Sequence, residues 1–594
     1  MMQPSATDEI VRSIRNQLLD FFRRYKLSDQ TFLIIIAVIV GFLAGLGSIF
    51  FEKLIALGQL FFFEFVPSIA GNPIWLIILI PAFGAVFLAP LIYFFPVEAK
   101  SDGVPATMEA VALKGGIIKV RTFCTRMLAS AITLGSGGSA GKEGPIIQIG
   151  ASIGSAVGQF FKVSGARMRV LVGCGAAGGL AAIFNAPIAG VLFALEVVLG
   201  EFSVHSFTPI VISSVVATAV SRAWLIEGAA LKLPPYQLFS YWEIGFYALL
   251  GIAAGVISVC FTKGLHGVEK FFHRRTALIR THWQPIIGGL IVGGIGFFFP
   301  QILGCGYSPI AQAIEGNFLW NTLLALLVLK IIATAFTLGS GGSGGILYPC
   351  LFMGAMLGSI MGTAFNALAP GIAPSAGGYA LVGMGAVLGA AVQAPLAAIM
   401  MGFELTGSYA VILPLMTSCV LATMVHRRFM SQSIYTQSLA DRGIDISVAR
   451  EMGVLTSLTV SDVMRREVQK IPGNMPYNEV MQLCLKGHGN YLYTTDDEDN
   501  LEGVISFQDV KEFIYDDQLN GLVLARDMAN RDVVYVTPHE TLASSLNKFS
   551  YIDMEELPVV GSEDGFRRLL GIITRSELMK IYRKEMLKRV MIES

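Results

Sequence analysis

Two nearly identical glycine-rich loops interrupt an otherwise apolar chain. The first, Thr133–Pro145, reads TLGSGGSAGKEGP, and the second, Thr337–Pro349, reads TLGSGGSGGILYP, so that the two align without a gap. A match of this length between distant parts of one chain is not expected by chance. The sequence therefore predicts two copies of one structural unit, each with an irregular loop between apolar segments.

The match between the two copies continues beyond these loops, with only small changes in spacing. The later matches are Gly173–Ala176 with Gly383–Ala386, Asn185–Pro187 with Gln393–Pro395, and Glu196 with Glu404. Because the matches keep their order along the chain, we predict a repeat over about 31–225 and 241–428.

The composition places this repeat in a membrane. Of 594 residues, 54% are hydrophobic and 14% are charged, whereas about one quarter of a soluble domain is charged. A net charge of +0 gives no reason to expect a nucleic-acid partner. Apolar runs near the length needed to cross a bilayer are Thr31–Phe51, Ile74–Phe95, Tyr241–Thr262, Trp283–Phe299, Trp320–Leu338 and Val411–His426.

Other apolar stretches are broken by Gly and Pro and are predicted to be too short or too interrupted for simple spans. Examples are Val170–Phe184, Pro187–Leu199, Tyr348–Ala367 and Pro395–Glu404. Irregular backbone at membrane depth is tolerated only inside protein or along a watery cavity. We therefore predict an all-α polytopic membrane domain, an inverted repeat of broken helices, of the kind that forms a pore or transporter.

The polar ends of the chain frame this domain. Residues 1–30 are polar, with a basic cluster ahead of the first span, and are predicted to be a cytoplasmic segment rather than a cleavable signal. The membrane domain is predicted at 31–440, followed by a linker at 441–455. Strand and helix patterns then alternate in two small α/β modules, at 456–515 and 522–585. Both termini are predicted to be cytoplasmic, with the protein in the cell (inner) membrane.

The chemistry of the loops favours an anion. A Gly-Ser-Gly-Gly-Ser turn before a helix exposes consecutive backbone N–H groups, and the helix adds the positive end of its dipole. Amides bind an ion without holding it too tightly for conduction. The alternative is that the glycines only permit close helix packing. A nucleotide phosphate loop is disfavoured because Glu143 follows Lys142 where GxxxxGK[ST] requires Ser or Thr.

Glu143 stands inside the first loop, at or near a helix start. An ionised carboxylate can occupy the position that an anion would take, and a protonated one would vacate it. We therefore interpret Glu143 as a pH-linked gate. The alternative is a helix N-terminal glutamate that only satisfies free N–H donors.

No residue pattern indicates catalysis or a metal. The seven Cys and seven His form no CxxC and no Cys–His pair at ligand spacing. We expect neither a catalytic site nor a required cofactor.

These residues resemble those of the CLC family of chloride channels and chloride/proton antiporters. The resemblance rests on Gly141-Lys-Glu-Gly-Pro145, on Gly345-Ile-Leu-Tyr-Pro349 and on Tyr435, and it continues into a pair of CBS domains over the two α/β modules. It covers nearly the whole chain. It implies the CLC fold, with a cytoplasmic CBS pair, in a homodimer that has one anion pathway in each subunit.

The resemblance also implies roles for single residues. Glu143 would be the gating glutamate, and Gly144 would donate a backbone amide to the anion. The amides of Ile346 and Leu347 would line the central site, and the hydroxyl of Tyr435 would face the anion there. Leu347 replaces the family's Phe, which matters little if the amide binds.

Two positions depart from the family pattern. The first anion loop reads Ser101-Asp-Gly-Val-Pro105, so that Asp102 stands where a Ser usually donates its hydroxyl. A carboxylate there would repel chloride unless it is protonated or turned away, leaving the amide of Gly103 or Val104 to help. We therefore expect Asp102 and Gly103 to lie at the anion-binding site and to affect which anion is selected.

The second departure concerns protons. Val197 stands where the family's antiporters commonly carry an internal glutamate, although some proton-coupled members lack it. Glu143, Glu196 and Glu201 are the proton-path candidates, and the repeat match of Glu196 with Glu404 favours a structural role for Glu196. Val197 favours weak or absent proton coupling.

CBS pairs in this family resemble regulatory modules that bind adenine nucleotides. Their signature places a hydroxyl on phosphate and an acid on ribose. Ser506 with Asp509 fits this signature, and Thr574 with Glu577 fits it less well. The alternative is a degenerate pair that only dimerises.

The predicted function is chloride transport through a glutamate-gated pathway, either as a channel or with proton exchange. Two alternatives stay open. The chain could carry another anion, such as nitrate or fluoride, or it could be a nucleotide or pH sensor with vestigial transport.

Overall fold

The computed structural model describes most of the chain, and it divides into two compact units, the first of which ends at Ile446. The described residues are 28–71, 73–100, 103–224, 240, 242–275, 280–370, 376–446, 458–486, 491–506, 510, 523–551, 554–563 and 566–580. Asp102, Asp509, most of the predicted N-terminal segment and much of the predicted linker lie outside them.

The described residues of the first unit form helices and connecting loops, with no β-strand among them. Its α-helices are α1 (Asp29–Leu60), α2 (Val66–Ile69), α3 (Leu76–Phe94), α4 (Pro96–Lys100), α5 (Gly103–Leu113), α6 (Val120–Gly135), α7 (Glu143–Phe160), α8 (Gly165–Phe184), α9 (Pro187–Phe193), α10 (Val204–Trp224), α11 (Glu243–Arg275), α12 (Gln284–Phe298), α13 (Tyr307–Ile314), α14 (Trp320–Gly339), α15 (Leu347–Leu368), α16 (Ala376–Val392), α17 (Pro395–Thr406), α18 (Ile412–Phe429) and α19 (Ile434–Ala440). Short π-helical turns lie at Phe61–Phe65 and Ala194–Leu199, and 3-10 turns lie at Pro300–Ile302 and Tyr409–Val411.

The two halves of this unit repeat one another helix by helix. Each half begins with its longest helix, α1 with 32 residues and α11 with 33. Helix α1 packs against α8 and α10, and α11 packs against the corresponding α16 and α18. Even the unusual backbone angles recur, because Asn185 and Gln393 both adopt positive φ after α8 and α16. The described helices therefore form two matching sets, in the order that the sequence repeat predicts.

Eight helices in the described part of the chain are long and apolar enough to cross a membrane. Two of these correct the sequence interpretation, because α8 and α15 run unbroken for 20 and 22 residues through stretches predicted to be interrupted. Their glycines let helices touch: a Cβ at Gly150 of α7 would lie 2.1 Å from the carbonyl oxygen of Gly175 in α8. The close approach of backbones, rather than a break, explains the glycine there.

Another correction goes the opposite way. The span predicted at Trp283–Phe299 is a helix of 15 residues, shorter than a full crossing. Pro300 follows directly, and a proline disfavours helical backbone at the residue before it. Conversely, α10 is a spanning candidate of 21 residues that the apolar pattern alone did not single out.

The second unit is α/β, as predicted. It contains β1 (Lys470–Pro472), α20 (Tyr477–Lys486), β2 (Tyr491–Thr495), β3 (Leu501–Ser506), α21 (Ala525–Met528), α22 (Leu542–Tyr551), β4 (Glu556–Glu563) and β5 (Phe566–Thr574), with a 3-10 turn at Val460–Asp462. In the first sheet β2 pairs parallel with β1 and antiparallel with β3, and in the second β4 pairs antiparallel with β5.

Each sheet covers its own apolar core. Val480 of α20 packs with Ile471 and Leu492 in the first, whereas Leu542 of α22 packs with Leu557 in the second. Each core takes residues from both predicted modules, because Ala525 of the second packs in the first core and Val460 of the first packs in the second core.

Candidate functional site

The two glycine-rich loops have the same backbone course. Helix α6 ends at Gly135 and α7 begins at Glu143, whereas α14 ends at Gly339 and α15 begins at Leu347. Two residues after each helix, Gly137 and Gly341 adopt positive φ, 89° and 106°. Only glycine takes this conformation without strain, which explains why both loops have glycine at this turn.

The loops bind each other reciprocally. The N–H of Gly141 donates to the carbonyl of Gly345 over 2.8 Å, and the N–H of Gly345 donates to the carbonyl of Gly141 over 2.7 Å. On either side, the N–H of Ser139 donates to the Thr337 hydroxyl, and that of Ser343 to the Thr133 hydroxyl. These reciprocal hydrogen bonds relate the two loops by an approximate two-fold axis. They bring the N-termini of α7 and α15 together.

The carboxylate of Glu143 lies at this junction. Its side chain is 0% exposed, and its Oε1 accepts a hydrogen bond from the backbone N–H of Tyr348, in the first turn of α15. A Cβ at Gly141 would lie 2.1 Å from Oε1 and 2.2 Å from Oε2. The carboxylate therefore rests against the bare Cα of Gly141 and takes up an amide donor at the start of the other loop's helix.

A third helix start reaches the same place. Gly103 begins α5, and a Cβ there would lie 2.1 Å from the carbonyl oxygen of Gly144. Gly144 in turn is so close to Gly345 that a Cβ would come within 2.8 Å of its Cα. The structure thus brings Gly103 and Gly144 together, while the predicted Asp102 lies outside the described residues.

Of the remaining predicted anion residues, Ile346 and Leu347 lie at this junction, and Tyr435 lies on a separate helix. Ile346 caps α15 and Leu347 begins it, both buried, so that they directly precede the Tyr348 amide. Tyr435 is buried in the first turn of α19, a helix that packs against α5 and α16. Tyr435 therefore lies on α19, which neighbours α5, the helix that begins at Gly103.

A cavity of about 1030 Å³ opens beside these helices. Its lining includes Gln148 of α7, Gly339 at the end of α14 and Ser438 of α19. An ion pair of Lys270 with Asp441, 3.1 Å long, lies on its wall. Ser438 lies within about one helical turn of Tyr435 on α19. The cavity therefore brings water close to Tyr435.

The proton-path candidate Glu196 has a defined structural partner. Its carboxylate accepts the N–H groups of Leu396 and Ala397 at the start of α17, at 3.4 and 2.9 Å. Glu404, its repeat mate in α17, accepts those of Ile188 and Ala189 at the start of α9, at 2.9 and 2.7 Å. Each repeat thus caps a helix of the other, in line with the structural role that the repeat match favoured.

The other positions linked to protons lie nearby. Glu201 follows Gly200, which ends the π-helical turn with positive φ, and the Glu201 N–H donates to the Leu195 carbonyl. Val197 is buried in the same turn. None of these contacts connects Glu201 to Glu143 in the described part of the chain.

In the second unit, Thr574 and Glu577 lie together at the end of β5. Glu577 Oε2 accepts the Thr574 hydroxyl at 3.0 Å, and Oε1 pairs with the guanidinium of Arg465. Arg465 and the Thr574 hydroxyl are therefore both engaged by Glu577, whose carboxylate oxygens keep lone pairs for a further donor. Ser506 ends β3, and its predicted partner Asp509 lies outside the described residues.

Sequence reasoning missed a buried cation near the junction. Lys330 of α14 is 0% exposed, and its ammonium donates to the carbonyls of Ile302 and Gly304, both over 2.9 Å. A signal was present, because Lys330 is the one charged residue in the apolar run Trp320–Leu338, and such residues usually have a function. Its electrostatic neighbour in the junction is Glu143.

Lys142, next to the carboxylate, is also held in place. Its ammonium pairs with Glu52 of α1 and lies 5.2 Å from the ring centre of Tyr307. The positive charge beside Glu143 is therefore tied to two other helices and is not free to close over the carboxylate.

Both the helical unit and the α/β unit match known protein families. Residues 84–427 match the family described as voltage gated chloride channel, and residues 460–516 and 525–584 match the CBS domain. A putative chloride channel protein, ClcB-like, of Ralstonia nicotianae is 37% identical over 63% of this chain and 88% of its own.

An exchanger and a solved structure are similar as well. The H(+)/Cl(-) exchange transporter ClcA of Vibrio parahaemolyticus is 33% identical over 68% of this chain and 89% of its own. The crystal structure of a slow cyanobacterial Cl−/H+ antiporter superposes with a TM-score of 0.64 at 27% identity, over 70% of this chain and 98% of its own.

Proposed function

The chain belongs to the CLC family of chloride channels and chloride/proton exchangers, which are transport proteins and not enzymes, and we propose that it carries chloride through a pathway gated by the Glu143 carboxylate. One observation carries the gate. The buried carboxylate accepts the Tyr348 amide at the N-terminus of α15, so that it fills a donor site suited to an anion. Chloride can use that amide only after the carboxylate leaves.

The supporting geometry is the meeting of three helix N-termini. Helices α5, α7 and α15 begin at Gly103, Glu143 and Leu347, and the glycine contacts between them leave no room for side chains. Amides and helix dipoles bind a small anion while no full positive charge contacts it, so the ion can leave again. The amides of Gly144, Ile346 and Leu347 and the Tyr435 hydroxyl are the proposed anion ligands.

The gate is tested by chloride efflux from liposomes that contain the purified protein. Glu143→Gln removes the charge and keeps the shape, so we expect faster efflux that no longer depends on pH. Glu64→Gln is the matched control, because Glu64 is an exposed carboxylate on another turn. If Glu143→Gln retains the full acid activation of the native protein, the proton sensor lies elsewhere.

The same liposomes decide between channel and exchanger. Val197 at the usual position of the internal glutamate, and the structural engagement of Glu196, support chloride movement with weak or absent proton coupling. The expected reversal potential then follows the chloride gradient alone. A shift of that potential when only the pH gradient changes would contradict the channel proposal, and faster nitrate or fluoride flux would contradict chloride selectivity.

Regulation by the CBS pair forms a further part of the proposal. The Thr574 hydroxyl and Arg465 support binding of an adenine nucleotide phosphate in the second module. Calorimetric titration of the full chain with ATP should show binding that Thr574→Val weakens. Absence of heat for ATP, ADP and AMP would support the alternative, a CBS pair that only dimerises.

The proposed assembly is a homodimer in the cell membrane, with cytoplasmic termini. Helices α9, α10, α17 and α18 adjoin one another and expose large apolar side chains, which supports either a subunit interface or contact with lipid. These side chains include Ile188, Val215, Leu396, Leu413, Met416 and Val420. Counting of fluorophore bleaching steps in liposomes should give two subunits, and a tag on the C-terminus should be reached only from the cytoplasm.

A further inference from the structure

Two aromatic rings lie against the ring of Tyr348, the residue whose backbone amide holds the carboxylate. The Tyr348 ring stacks on Phe184 with 5.0 Å between centres, and its edge meets Tyr307 at 4.5 Å. Tyr348 is fully buried in α15, and Tyr307 is the first residue of α13. We call these three residues the tyrosine cluster.

The cluster contains polar atoms that its closed state leaves unsatisfied. The hydroxyls of Tyr307 and Tyr348 are buried and interact with each other, so that one of the two still has a proton to donate. Glu143 Oε2 is also buried and has no hydrogen-bond partner among the described residues. Hydroxyls can donate and a carboxylate oxygen can accept, so the unsatisfied groups are chemically complementary. Each hydroxyl lies within electrostatic range of the other and of Glu143.

The surroundings favour a carboxyl group near these hydroxyls. Lys330 approaches the loop that leads into Tyr307, because a Cβ at Gly306 would lie 3.7 Å from its ammonium. The same ammonium lies 4.9 Å from the ring centre of Phe352 and acts electrostatically on Glu143. A buried cation thus stands beside the cluster, with carbonyls and a ring as its partners.

The ionisable groups around the carboxyl come from several elements, and all belong to the described part of the chain. They are Lys142, Cys305, Tyr307, Lys330, Tyr348 and Cys350. Glu52 also acts electrostatically on Tyr348, and its carboxylate is paired with Lys142. Because Glu52 is held by that ion pair, Glu143 is the carboxyl group that the hydroxyls can receive.

We propose that the hydroxyl groups of Tyr307 and Tyr348 form the docking site that receives the Glu143 carboxyl group when it leaves the anion pathway. The carboxyl now accepts the backbone amide of Tyr348, so rotation of the glutamate side chain carries it from one end of that residue towards the other. Docking gives the carboxyl group to the hydroxyl that still has a proton to donate, and it frees the amide for an anion. The two tyrosines are positioning residues, and this role rests on the proposed gate.

Protonation of Glu143 and docking of its carboxyl group on the tyrosine hydroxyls both favour the open pathway. A proton on Glu143 weakens its attraction to the amide and gives it a donor as well as an acceptor, so that it leaves the pathway more readily. Loss of a docking hydroxyl makes the displaced state less stable at every pH. More acid is then needed for the same open fraction, and the pH of half-maximal flux moves down.

The test is chloride efflux against external pH for Tyr348→Phe, Tyr307→Phe and the double variant. We expect each single variant to lower efflux about 3- to 10-fold at the pH where the native protein is half active, as the loss of one hydrogen bond predicts. The half-maximal pH should fall by about 0.5 to 1 unit. The matched control is Tyr379→Phe, which removes the hydroxyl of a buried tyrosine stacked on Tyr247, outside the cluster.

The same substitutions in a Glu143→Ala background separate the possible failures. If the hydroxyls act through Glu143, they have no effect on efflux once Glu143 is absent. An equal fall in efflux in both backgrounds would overturn the docking proposal, because the hydroxyls would then bind the anion itself. Native pH profiles in both Phe variants, with Glu143→Ala open, would overturn docking alone, whereas unchanged efflux in Glu143→Ala would overturn the gate.

Discussion

The two glycine-rich loops share a backbone but differ in chemistry at three consecutive positions. Lys142, Glu143 and Gly144 of the first loop correspond to Ile346, Leu347 and Tyr348 of the second. The first loop brings a carboxylate and keeps its next residue bare, whereas the second brings apolar side chains and offers its amide. A duplicated fold therefore supplies a symmetric frame, and in the proposed mechanism the differences within it make one loop the gate and the other the site that the gate covers.

The symmetric backbone of the two loops explains how their different side chains can act on each other. The reciprocal Gly141–Gly345 hydrogen bonds hold both helix starts at the same depth, so that one side chain can reach the amide of the other loop. If the frame were less exact, a carboxylate in the first loop would not meet a donor in the second. Each prediction below removes either the difference or the symmetry.

The largest expected effect comes from making the loops alike. Glu143→Leu places the second loop's residue in the first, which removes the carboxylate and leaves the Tyr348 amide open. We expect chloride efflux at neutral pH to rise at least about tenfold, the loss of more than 1.4 kcal/mol of closure, and to become independent of pH. Leu347→Ala is the control, because it changes the corresponding residue and should leave acid activation intact.

The next prediction concerns Gly141 and Gly345, the two glycines that exchange backbone hydrogen bonds between the loops. In Gly141→Ala the new Cβ takes the space of the Glu143 carboxylate, the flexible end of a side chain, which can move away. We expect a folded protein with efflux raised about 3- to 10-fold, since the lost amide bond has the strength of one hydrogen bond to a charged group. A variant with native efflux would contradict the placement of the carboxylate against Gly141.

Gly345→Ala should behave differently, which is what makes the pair informative. Its Cβ would lie 2.5 Å from the backbone nitrogen of Gly144, which cannot move without parting the loops. We expect aggregation or a broad elution profile in size-exclusion chromatography rather than an open pathway. A monodisperse, fast variant would show that the two glycines are interchangeable.

A smaller effect is expected where the two halves exchange helix caps. Glu196→Gln and Glu404→Gln each replace a charged acceptor of two N–H groups by a neutral one, so both should lower the free energy of unfolding by about 1–2 kcal/mol. Thermal unfolding of the purified protein measures this, and the two losses should be similar. If Glu196→Gln alone reduced proton movement, Glu196 would belong to a proton path after all.

The smallest expected effect comes from the threonines that cross between the loops. Thr133→Val and Thr337→Val each remove one hydroxyl that accepts an N–H of the opposite loop, at a cost of about 1 kcal/mol. Because both bonds stabilise the same junction, the double variant should lose less than the sum of the single losses. Strict additivity in thermal unfolding would indicate that the loops are held independently.

Much of the fold was readable because burial and turn geometry leave local patterns. The repeat, the membrane class and the two α/β modules follow from apolar runs, strand–helix alternation and the glycine turns. Helix lengths were less predictable, since the glycines of α8 and α15 break a helix in water but allow contact between packed helices. Only the neighbouring helix decides between these outcomes.

The sequence by itself determined that two matching glycine-rich loops exist and that Glu143 lies in only one of them. The tertiary structure alone decided that the carboxylate meets the Tyr348 amide, 205 residues away, and that Glu196 and Glu404 exchange helix caps. It also decided that Lys330 and the two tyrosine hydroxyls stand around the gate. The physical reason is that residue type and spacing encode local backbone and burial, whereas hydrogen-bond partners far apart in the chain depend on how the two halves pack.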